Sequence, residues 1–281
     1  MKLPFQVDLN GKVAVITGAG GVICSGFAKA IAKCGAKVAL LDINAEAAQK
    51  VANEINSDGG TAVAVTANCL KAESLAEAHD EVMKKLGACD ILINGAGGNN
   101  PRGTTDNETM TPDLLDQKDL KTFFDLDPDG IRFVFDLNVT AAILTTQAFT
   151  KEMVKTGGVI LNISSMNAFR PLTKIPAYSS AKAAVSNLTQ WLAVHFAPCG
   201  IRVNAIAPGF FVTNQNRDLL FKDGKPTART EKILRGTPMN RFGEMEDLTG
   251  TLLWLISDQA SGFVTGVVVP VDGGFASYSG V

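Results

Sequence analysis

The chain is short of net charge and of long apolar runs, and both shortages exclude classes of function. Its 281 residues carry a formal net charge of −2. That balance gives no electrostatic basis for binding nucleic acid or an anionic membrane surface. No apolar run approaches the roughly 20 residues of a membrane-spanning helix, and the first residues, MKLPFQVDLNGK, lack the apolar core of a signal peptide. We therefore expect a cytoplasmic protein with neither a nucleic-acid nor a membrane partner.

Patterns that bind metal or form disulfides are also missing. There are two histidines, His79 and His195, with no HExxH motif and no Cys/His cluster, so we expect no metal site. The cysteines are odd in number and form no CxxC pair, which favours reduced and mostly buried thiols. They are Cys24, Cys34, Cys69, Cys89 and Cys199.

Apolar, β-branched runs alternate with helical patterns along the whole chain. Near-continuous apolar strands are typical of a parallel sheet that is covered on both faces, and strand–helix alternation predicts a doubly wound α/β fold. Such a sheet binds ligands at the carboxyl ends of its strands. With no repeat or linker, we predict one domain over residues 1–281. The predicted strands are Val13–Thr17, Lys37–Leu41, Thr61–Ala67, Ile91–Asn94, Gly158–Ile163, Arg202–Ile206 and Val267–Val271.

A tyrosine and a lysine with catalytic potential lie on one predicted helix. The run from Ala177 to Leu192 has small and apolar residues, and no glycine or proline occurs before Pro198. Tyr178 and Lys182 are four residues apart and share a face, with about 5–6 Å between their Cβ atoms. A nearby ammonium lowers a phenol pKa that is normally about 10, which suits a general acid or base. The alternative is a buried tyrosine beside a lysine whose ammonium reaches the surface.

A glycine-rich turn follows the first predicted strand. Thr17-Gly-Ala-Gly-Gly21 leads into a helix predicted from about Ser25 to Cys34. Glycines let backbone N–H groups approach a pyrophosphate, which would also lie at the positive end of the helix. Asp42 ends the second strand, where a carboxylate hydrogen-bonds a ribose 2′-hydroxyl and repels a 2′-phosphate. The next basic residue is Lys50, so the pattern favours NAD over NADP, although a merely tight turn is the alternative for the glycines alone.

Six ordered motifs together resemble the short-chain dehydrogenase/reductase family. The resemblance covers essentially the whole chain. It implies a single Rossmann-type domain of about seven parallel strands with helices on both faces, a nicotinamide cofactor, and hydride transfer between a carbonyl and an alcohol. The motifs are Thr17-Gly18, Asn94-Gly-Ala-Gly97, Leu137-Asn138-Val139, Asn162-Ile-Ser-Ser165, Tyr178-Ser-Ser-Ala-Lys182 and Arg202-Val-Asn-Ala-Ile-Ala-Pro-Gly209.

The resemblance also implies a role for each matched residue. Tyr178 would donate or accept the proton, and Ser165 would position the substrate oxygen. Lys182 would lower the tyrosine pKa and hold the nicotinamide ribose, while Asn138 would anchor a water in a proton relay. The residues expected to bind NAD are Gly18, Gly20, Gly21, Val22, Ile23, Asp42, Asn68, Asn94, Ala96, Gly97, Tyr178, Lys182, Pro208, Gly209 and Thr213.

Two positions depart from the family pattern. Val22 and Cys24 stand where the family's turn has its second and third glycines, so we expect a different path for this turn. Asn68 replaces the usual aspartate at the adenine edge, where its amide oxygen can still accept a hydrogen bond.

Two long segments are expected to select the substrate. One is an extended loop insertion at about 98–130, and the other is a substrate lid at about 209–241. Long loops in a compact domain are usually functional or mobile. Both are rich in Asn, Thr, Gln and Arg, which suits a polyhydroxylated anion whose carboxylate is gripped by an arginine.

Within the family, three segments are similar to the D-mannonate oxidoreductases (fructuronate reductases) of the short-chain type. They are NGAGGNNPRGTTDN, SSMNAFRPLTKIPAYSSAKAA and APGFFVTNQNR. The similarity implies reduction of D-fructuronate to D-mannonate, and a reductase of another sugar acid such as 5-ketogluconate stays open. The predicted substrate-binding residues are Asn100, Arg102, Ser165, Asn167, Arg170, Phe211, Asn214 and Arg217. Each basic residue among them could instead be an ordinary solvated surface charge.

Self-association is the remaining expectation. The helix that carries Tyr178 and the apolar segment Phe263–Val281 match surfaces that the family commonly uses to form tetramers, so the resemblance implies a homotetramer. A dinucleotide-binding sensor without turnover is a further alternative, and the intact set of Ser165, Tyr178, Lys182 and Asn138 argues against it.

Overall fold

A seven-stranded parallel sheet forms the centre of the protein. The computed structural model describes residues 7–212, 220–222 and 225–280. Its strands are β1 (Val13–Thr17), β2 (Lys37–Asp42), β3 (Thr61–Thr66), β4 (Ile91–Asn94), β5 (Gly158–Ile163), β6 (Ile201–Pro208) and β9 (Val268–Val271). The sheet order is β3-β2-β1-β4-β5-β6-β9, and every pairing in it is parallel. The order reverses between β1 and β4, which is where a doubly wound sheet opens a crevice for ligands.

Helices cover both faces of this sheet. Three of them, α1, α2 and α9, pack on one face, and α3, α5 and α7 pack on the other. The helices are α1 (Val22–Lys33), α2 (Ala45–Ser57), α3 (Ala72–Lys85), α4 (Pro128–Phe135), α5 (Ala141–Phe149), α6 (Met153–Thr156), α7 (Pro176–Phe196), α8 (Ala228–Gly236), α9 (Met245–Ile256) and α10 (Asp258–Ser261).

Alternation along each strand divides the core into two layers. Ala14 and Ile16 of β1 face the first layer, while Val13 and Val15 face the second. Successive side chains of a strand point to opposite faces, so a strand between two helix layers must be apolar at every position. Each fully buried Leu, Ile or Phe in these layers contributes about 2 kcal/mol to folding. The predicted single-domain, doubly wound fold is therefore confirmed.

Most element boundaries agree with those expected from the sequence. Three strands, β1, β4 and β5, have the predicted bounds, and the others differ by one or two residues at an end. The first helix is the exception, because α1 begins at Val22 and not near Ser25. Gly18 adopts φ +64°, in the left-handed region open to glycine, and Gly21 N–H donates to its carbonyl at 3.0 Å. This closed turn reverses the chain at once, so the helix starts early.

The 98–130 segment is ordered and lies against α7. Its short 3₁₀ turns span Pro101–Gly103, Pro112–Leu114 and Phe123–Asp125. Thr105 N–H donates to the carbonyl of Lys174 at 2.8 Å, which joins the segment to the loop before α7.

The 209–241 segment, as far as it is described, contains a two-stranded antiparallel ribbon followed by α8. The ribbon pairs β7 (Phe221–Lys222) with β8 (Lys225–Pro226). Among the described residues no helix is long and apolar enough to cross a membrane.

Candidate active site

Ser165, Tyr178 and Lys182 meet at the carboxyl end of β5. Ser165 caps the 3₁₀ turn Met166–Ala168, and its Oγ accepts from Asn167 N–H at 3.2 Å. Tyr178 lies in the first turn of α7, and Lys182 is one turn further along the same face. The Lys182 ammonium lies over the phenol ring, 5.7 Å from its centroid. The predicted shared face on one helix is confirmed.

Lys182 is buried to a degree unusual for a lysine. Its side chain is 4% exposed, and Nζ donates to the carbonyl of Ile163 at 2.7 Å. Burial penalises the charged form and lowers the pKa of Lys182 from 10.5 to about 8. The ammonium is therefore poised to lose its proton only slightly above neutrality.

The pKa of Tyr178 does not follow the prediction. Burial raises the pKa of the phenol above 10, and the hydrogen bond with Ser165 opposes this only in part. The predicted net lowering of the Tyr178 pKa is therefore wrong for this arrangement, because the cost of desolvating a phenolate dominates. Tyr178 consequently holds its proton at neutral pH, the state required of a proton donor.

Asn138 lies in a wide helical turn between α4 and α5. This π-type turn spans Asp136–Thr140, a distortion that often occurs at functional sites. The buried amide of Asn138 donates to the carbonyls of Gly98 and Val134, both at 2.7 Å, and accepts from Gly98 N–H at 3.2 Å. Its side chain is therefore engaged by the main chain after β4, and its role as a water anchor stays a prediction.

Gly97 brings this main chain close to the catalytic lysine. A Cβ at Gly97 would lie 2.7 Å from Asn138 Oδ1 and 3.1 Å from Lys182 Nζ. A larger residue at this position would force one or both of these side chains to move.

The turn after β1 and the end of β2 form a cradle that fits a dinucleotide. Thr17 Oγ1 accepts from the N–H groups of Gly95 and Ala96, both at 3.1 Å, which joins the loops after β1 and β4. Asp42 accepts from Gly20 N–H at 2.9 Å, so the acid lies beside the glycine turn. Gly21 caps α1 in extended conformation with no side-chain hydrogen bond, which leaves the first-turn amides without a side-chain cap.

Val22, Ile23 and Cys24 lie in the first turn of α1. The Cys24 side chain is buried, and a Cβ at Gly95 would lie 2.2 Å from its Sγ. Cys24 thus packs beneath the turn after β4, and burial raises its pKa to about 12. Val22 and Cys24, which replace the two family glycines, lie within α1 and leave the Gly18–Gly21 turn intact. All five cysteines are free, and Cys24, Cys69 and Cys89 are buried, as predicted.

Several predicted cofactor residues are placed by main-chain contacts. The Asn94 amide donates to Thr146 Oγ1 and Asn162 Oδ1, so its nitrogen is engaged by two buried side chains. Asn68 Oδ1 accepts from Leu70 N–H at 2.9 Å. Pro208 ends β6, and Gly209 N–H donates to the carbonyl of Val271. Thr213 lies outside the described residues.

Some of the predicted substrate residues are already bound to other parts of the protein, whereas others could still contact a substrate. Asn100 Oδ1 accepts from Arg102 N–H, and Arg102 pairs with Asp127 at 2.5 Å. Both therefore anchor the 98–130 segment. Phe211 is buried and bridges to Gly243. Asn214 and Arg217 lie outside the described residues.

Asn167 and Arg170 remain the available pair. The Asn167 side-chain oxygen is buried and has no hydrogen-bond partner among the described residues. Arg170 Nε donates to the carbonyl of Ala276 at 3.0 Å. Ala276 belongs to a turn that sequence reasoning missed. Its only signal is the Asp272-Gly-Gly274 run, where Asp272 accepts from the N–H groups of Gly274 and Ala276.

Two cavities lie at opposite ends of the sheet. The larger, about 760 Å³, is at the amino ends of the strands, around Lys12, Asp90 and Arg202, away from the catalytic residues. The smaller, about 220 Å³, includes Phe211 and Asp272 and lies beside the carboxyl ends of β6 and β9. Among the described residues, no group of His, Cys, Asp and Glu could hold a metal ion.

Comparison with known proteins identifies close relatives over the full length. The family model described as enoyl-(acyl carrier protein) reductase matches residues 18–276. An uncharacterized oxidoreductase of Haemophilus influenzae is 59% identical, with 100% of this chain and 99% of that protein covered. The uncharacterized oxidoreductase UxuB of Bacillus subtilis is 53% identical, with 99% and 100% covered.

A solved structure agrees in fold and in sequence. It is described as a candidate D-mannonate oxidoreductase from Haemophilus influenzae with bound NAD, and it is 59% identical to this chain. The TM-score is 0.94, with 98% of each chain covered. The chain belongs to the short-chain dehydrogenase/reductase family.

Proposed function

We propose that the protein is an NAD-dependent oxidoreductase that interconverts D-fructuronate and D-mannonate. The observation that carries the chemistry is the grouping of Ser165, Tyr178 and Lys182 at the carboxyl end of β5. The sugar-acid substrate is supported by the 59% identity to the Haemophilus influenzae protein with bound NAD. NAD is favoured over NADP because the Asp42 carboxylate borders the glycine turn and would repel a 2′-phosphate.

The chain's own residues supply the proton and hold the reacting oxygen. Bound NADH supplies the hydride for the carbonyl carbon. Tyr178 gives its phenolic proton to the carbonyl oxygen as negative charge develops there, and Ser165 stabilises the same oxygen with a hydroxyl group. Lys182 lies over the phenol ring and stabilises the phenolate that remains.

The segments on either side of the cleft select the substrate in this proposal. Arg102 is committed to Asp127, so the proposed contacts come from Asn167 and Arg170, with Asn214 and Arg217 as proposals outside the described residues. We also propose that residues 209–241 form the lid over the substrate.

A direct assay tests this function. NADH consumption is followed with D-fructuronate and with 5-ketogluconate, and we expect a clear rate with the first. Tyr178→Phe should lower that rate by about 10²–10⁴-fold. The matched control is Tyr278→Phe, since Tyr278 is the other tyrosine of the chain. A rate with 5-ketogluconate alone would refute the substrate, and equal rates for the two tyrosine variants would refute the chemistry.

We also propose a homotetramer that acts in the cytoplasm, where its free cysteines stay reduced. The support is apolar surface on α7, where Trp191 is 58% exposed and stacks on His195, together with the fully exposed Phe263. Exposed apolar surface of this kind commonly marks an interface. Light scattering should give the tetramer mass, and a monomer mass would contradict the proposal.

A further inference from the structure

Arg170 differs in its bonding from Arg102 and Arg241, two other arginines around the cleft. Arg102 pairs with Asp127 and Asp129, and Arg241 forms two short bonds to Asp247. Among the described residues, no carboxylate lies within ion-pair distance of Arg170, although its side chain is exposed. Its Nε is bound by the carbonyl of Ala276 at 3.0 Å, a neutral acceptor that leaves the positive charge uncompensated.

This single bond fixes the direction of the guanidinium. Nε is one of the five donors of the planar group, and holding it leaves the two terminal nitrogens as a fork. A carboxylate accepts such a fork through two parallel hydrogen bonds. The Ala276 carbonyl therefore orients Arg170 without occupying the end that grips an anion.

Arg170 is also held close to the residue that positions the reacting oxygen. Its N–H donates to the carbonyl of Met166 at 3.0 Å, and Ala168 N–H donates to the carbonyl of Ser165 at 2.9 Å. Ser165 and Arg170 thus flank the 3₁₀ turn Met166–Ala168, with Ser165 directly before it and Arg170 two residues after it. A substrate that binds Ser165 through its keto oxygen meets Arg170 with a group further along its chain.

The turn that contains Ala276 is itself held in place by hydrogen bonds and ring packing. The Asp272 carboxylate holds the N–H groups of Gly274 and Ala276 at 2.9 and 2.7 Å. Phe275 packs edge-on against Phe210, with 5.2 Å between ring centroids. The carbonyl that orients Arg170 is therefore itself rigidly placed.

Resting on the proposed function, we infer that Arg170, oriented by the Ala276 carbonyl, binds the carboxylate of the sugar-acid substrate and gives the enzyme its preference for anionic keto acids. D-fructose is the neutral counterpart of D-fructuronate, with a hydroxymethyl group in place of the carboxylate. Selectivity between the two compounds therefore isolates the contribution of the charge.

The experiment compares kcat/KM for D-fructuronate and D-fructose in four proteins: wild type, Arg170→Gln, Arg170→Lys and Arg132→Gln. Arg132 is the matched control, since it is an exposed arginine that pairs with Asp129. We expect Arg170→Gln to lower kcat/KM for D-fructuronate by about 10–100-fold, mainly through KM, with little change for D-fructose and for the KM of NADH. Arg170→Lys should fall between, because it keeps the charge and loses the fork.

Three outcomes would overturn the inference. They are an equal loss for both substrates, an unchanged preference in Arg170→Gln, and the same loss in Arg132→Gln. Failure of the proposed function has a different signature, because wild type would then reduce another keto acid and not D-fructuronate. In that case the same four proteins are compared on that keto acid and its hydroxymethyl analogue, and the same criteria decide about Arg170.

Discussion

Lys182 donates its ammonium hydrogen to the main-chain carbonyl of Ile163, the last residue of β5, at 2.7 Å. The bond ties α7 to the strand that presents Ser165, and it holds the ammonium in a buried position. Because burial lowers the pKa of Lys182 to about 8, the folded protein binds a proton there less tightly than the unfolded chain does. The lysine that we propose to act in catalysis therefore opposes folding at neutral pH.

The first prediction is a pH-dependent stability difference between wild type and Lys182→Met. The penalty on the wild type is full below pH 8 and disappears above the unfolded value of 10.5, since the unfolded chain binds more protons between these limits. Over this window the free energy of unfolding of the wild type should rise relative to the variant by about 3 kcal/mol. Urea unfolding at fixed protein concentration measures this. If the difference in free energy of unfolding between the two proteins stayed constant from pH 8 to 10.5, burial would not lower the pKa of Lys182.

The second prediction concerns the close approach at Gly97. An added methyl group would press on Asn138 Oδ1 and Lys182 Nζ, at 2.7 and 3.1 Å. Since a displacement of about 1 Å at a reacting group can cost about 100-fold in rate, Gly97→Ala should lower kcat by about that factor. Gly98→Ala is the matched control, because its Cβ would meet Leu137 Cδ2 at an ordinary 3.6 Å. Equal activity of the two variants would contradict this account.

The third prediction separates stability from activity at Asn167. Its buried side-chain oxygen has no partner within the described chain, and such a group destabilises the fold. If that oxygen accepts a substrate hydroxyl, Asn167→Ala should keep or raise the melting temperature and lower kcat/KM for D-fructuronate about tenfold. Thermal unfolding and steady-state kinetics on the same preparation measure the melting temperature and kcat/KM. A variant that loses stability and activity together would point to a structural role.

The fourth prediction concerns an ion pair across the cleft. Lys232 of α8 donates to both carboxylate oxygens of Glu108, at 2.8 and 3.0 Å, so it joins the 98–130 and 209–241 segments. The hydrogen bond from Lys232 lowers the pKa of Glu108, and the charges of Lys174 and Arg229 add to the effect. The pair is exposed, so its loss should change stability little.

Substrate affinity should respond more than stability does. Glu108→Gln and Lys232→Gln should each raise KM for D-fructuronate about threefold, and the double variant should be no worse than either single one. The effects should shrink at high salt, which screens exposed charges. Additive effects in the double variant would show that the two residues act separately.

The sheet was predictable from the sequence because its strands are buried on both faces. Val13–Thr17, Ile91–Asn94 and Gly158–Ile163 are mostly apolar, and each is followed by a glycine or a serine, so even their boundaries could be assigned. The early start of α1 could not be assigned, since it depends on the positive φ of Gly18 and the bond that closes the turn.

The catalytic set was predictable and its electrostatics were not. The spacing of Tyr178 and Lys182 determines their shared face, whereas the raised pKa of the phenol depends on burial by elements distant in the chain. Contacts between residues distant in the chain also explain why the partners of two arginines could not be predicted. Nothing local to Arg102 or Arg170 indicates that the first meets Asp127 while the second meets a main-chain carbonyl 106 residues away.

The separation of Arg170 and Ala276 along the chain has a consequence for folding during translation. The glycine turn, Asp42 and the loop after β4 all lie within the first 98 residues, so the cofactor cradle can form while translation continues. The carbonyl that orients Arg170 is added only at residue 276. Because non-local contacts form late and domains fold as the chain emerges, we expect nascent chains to acquire dinucleotide binding before they can discriminate between keto acids.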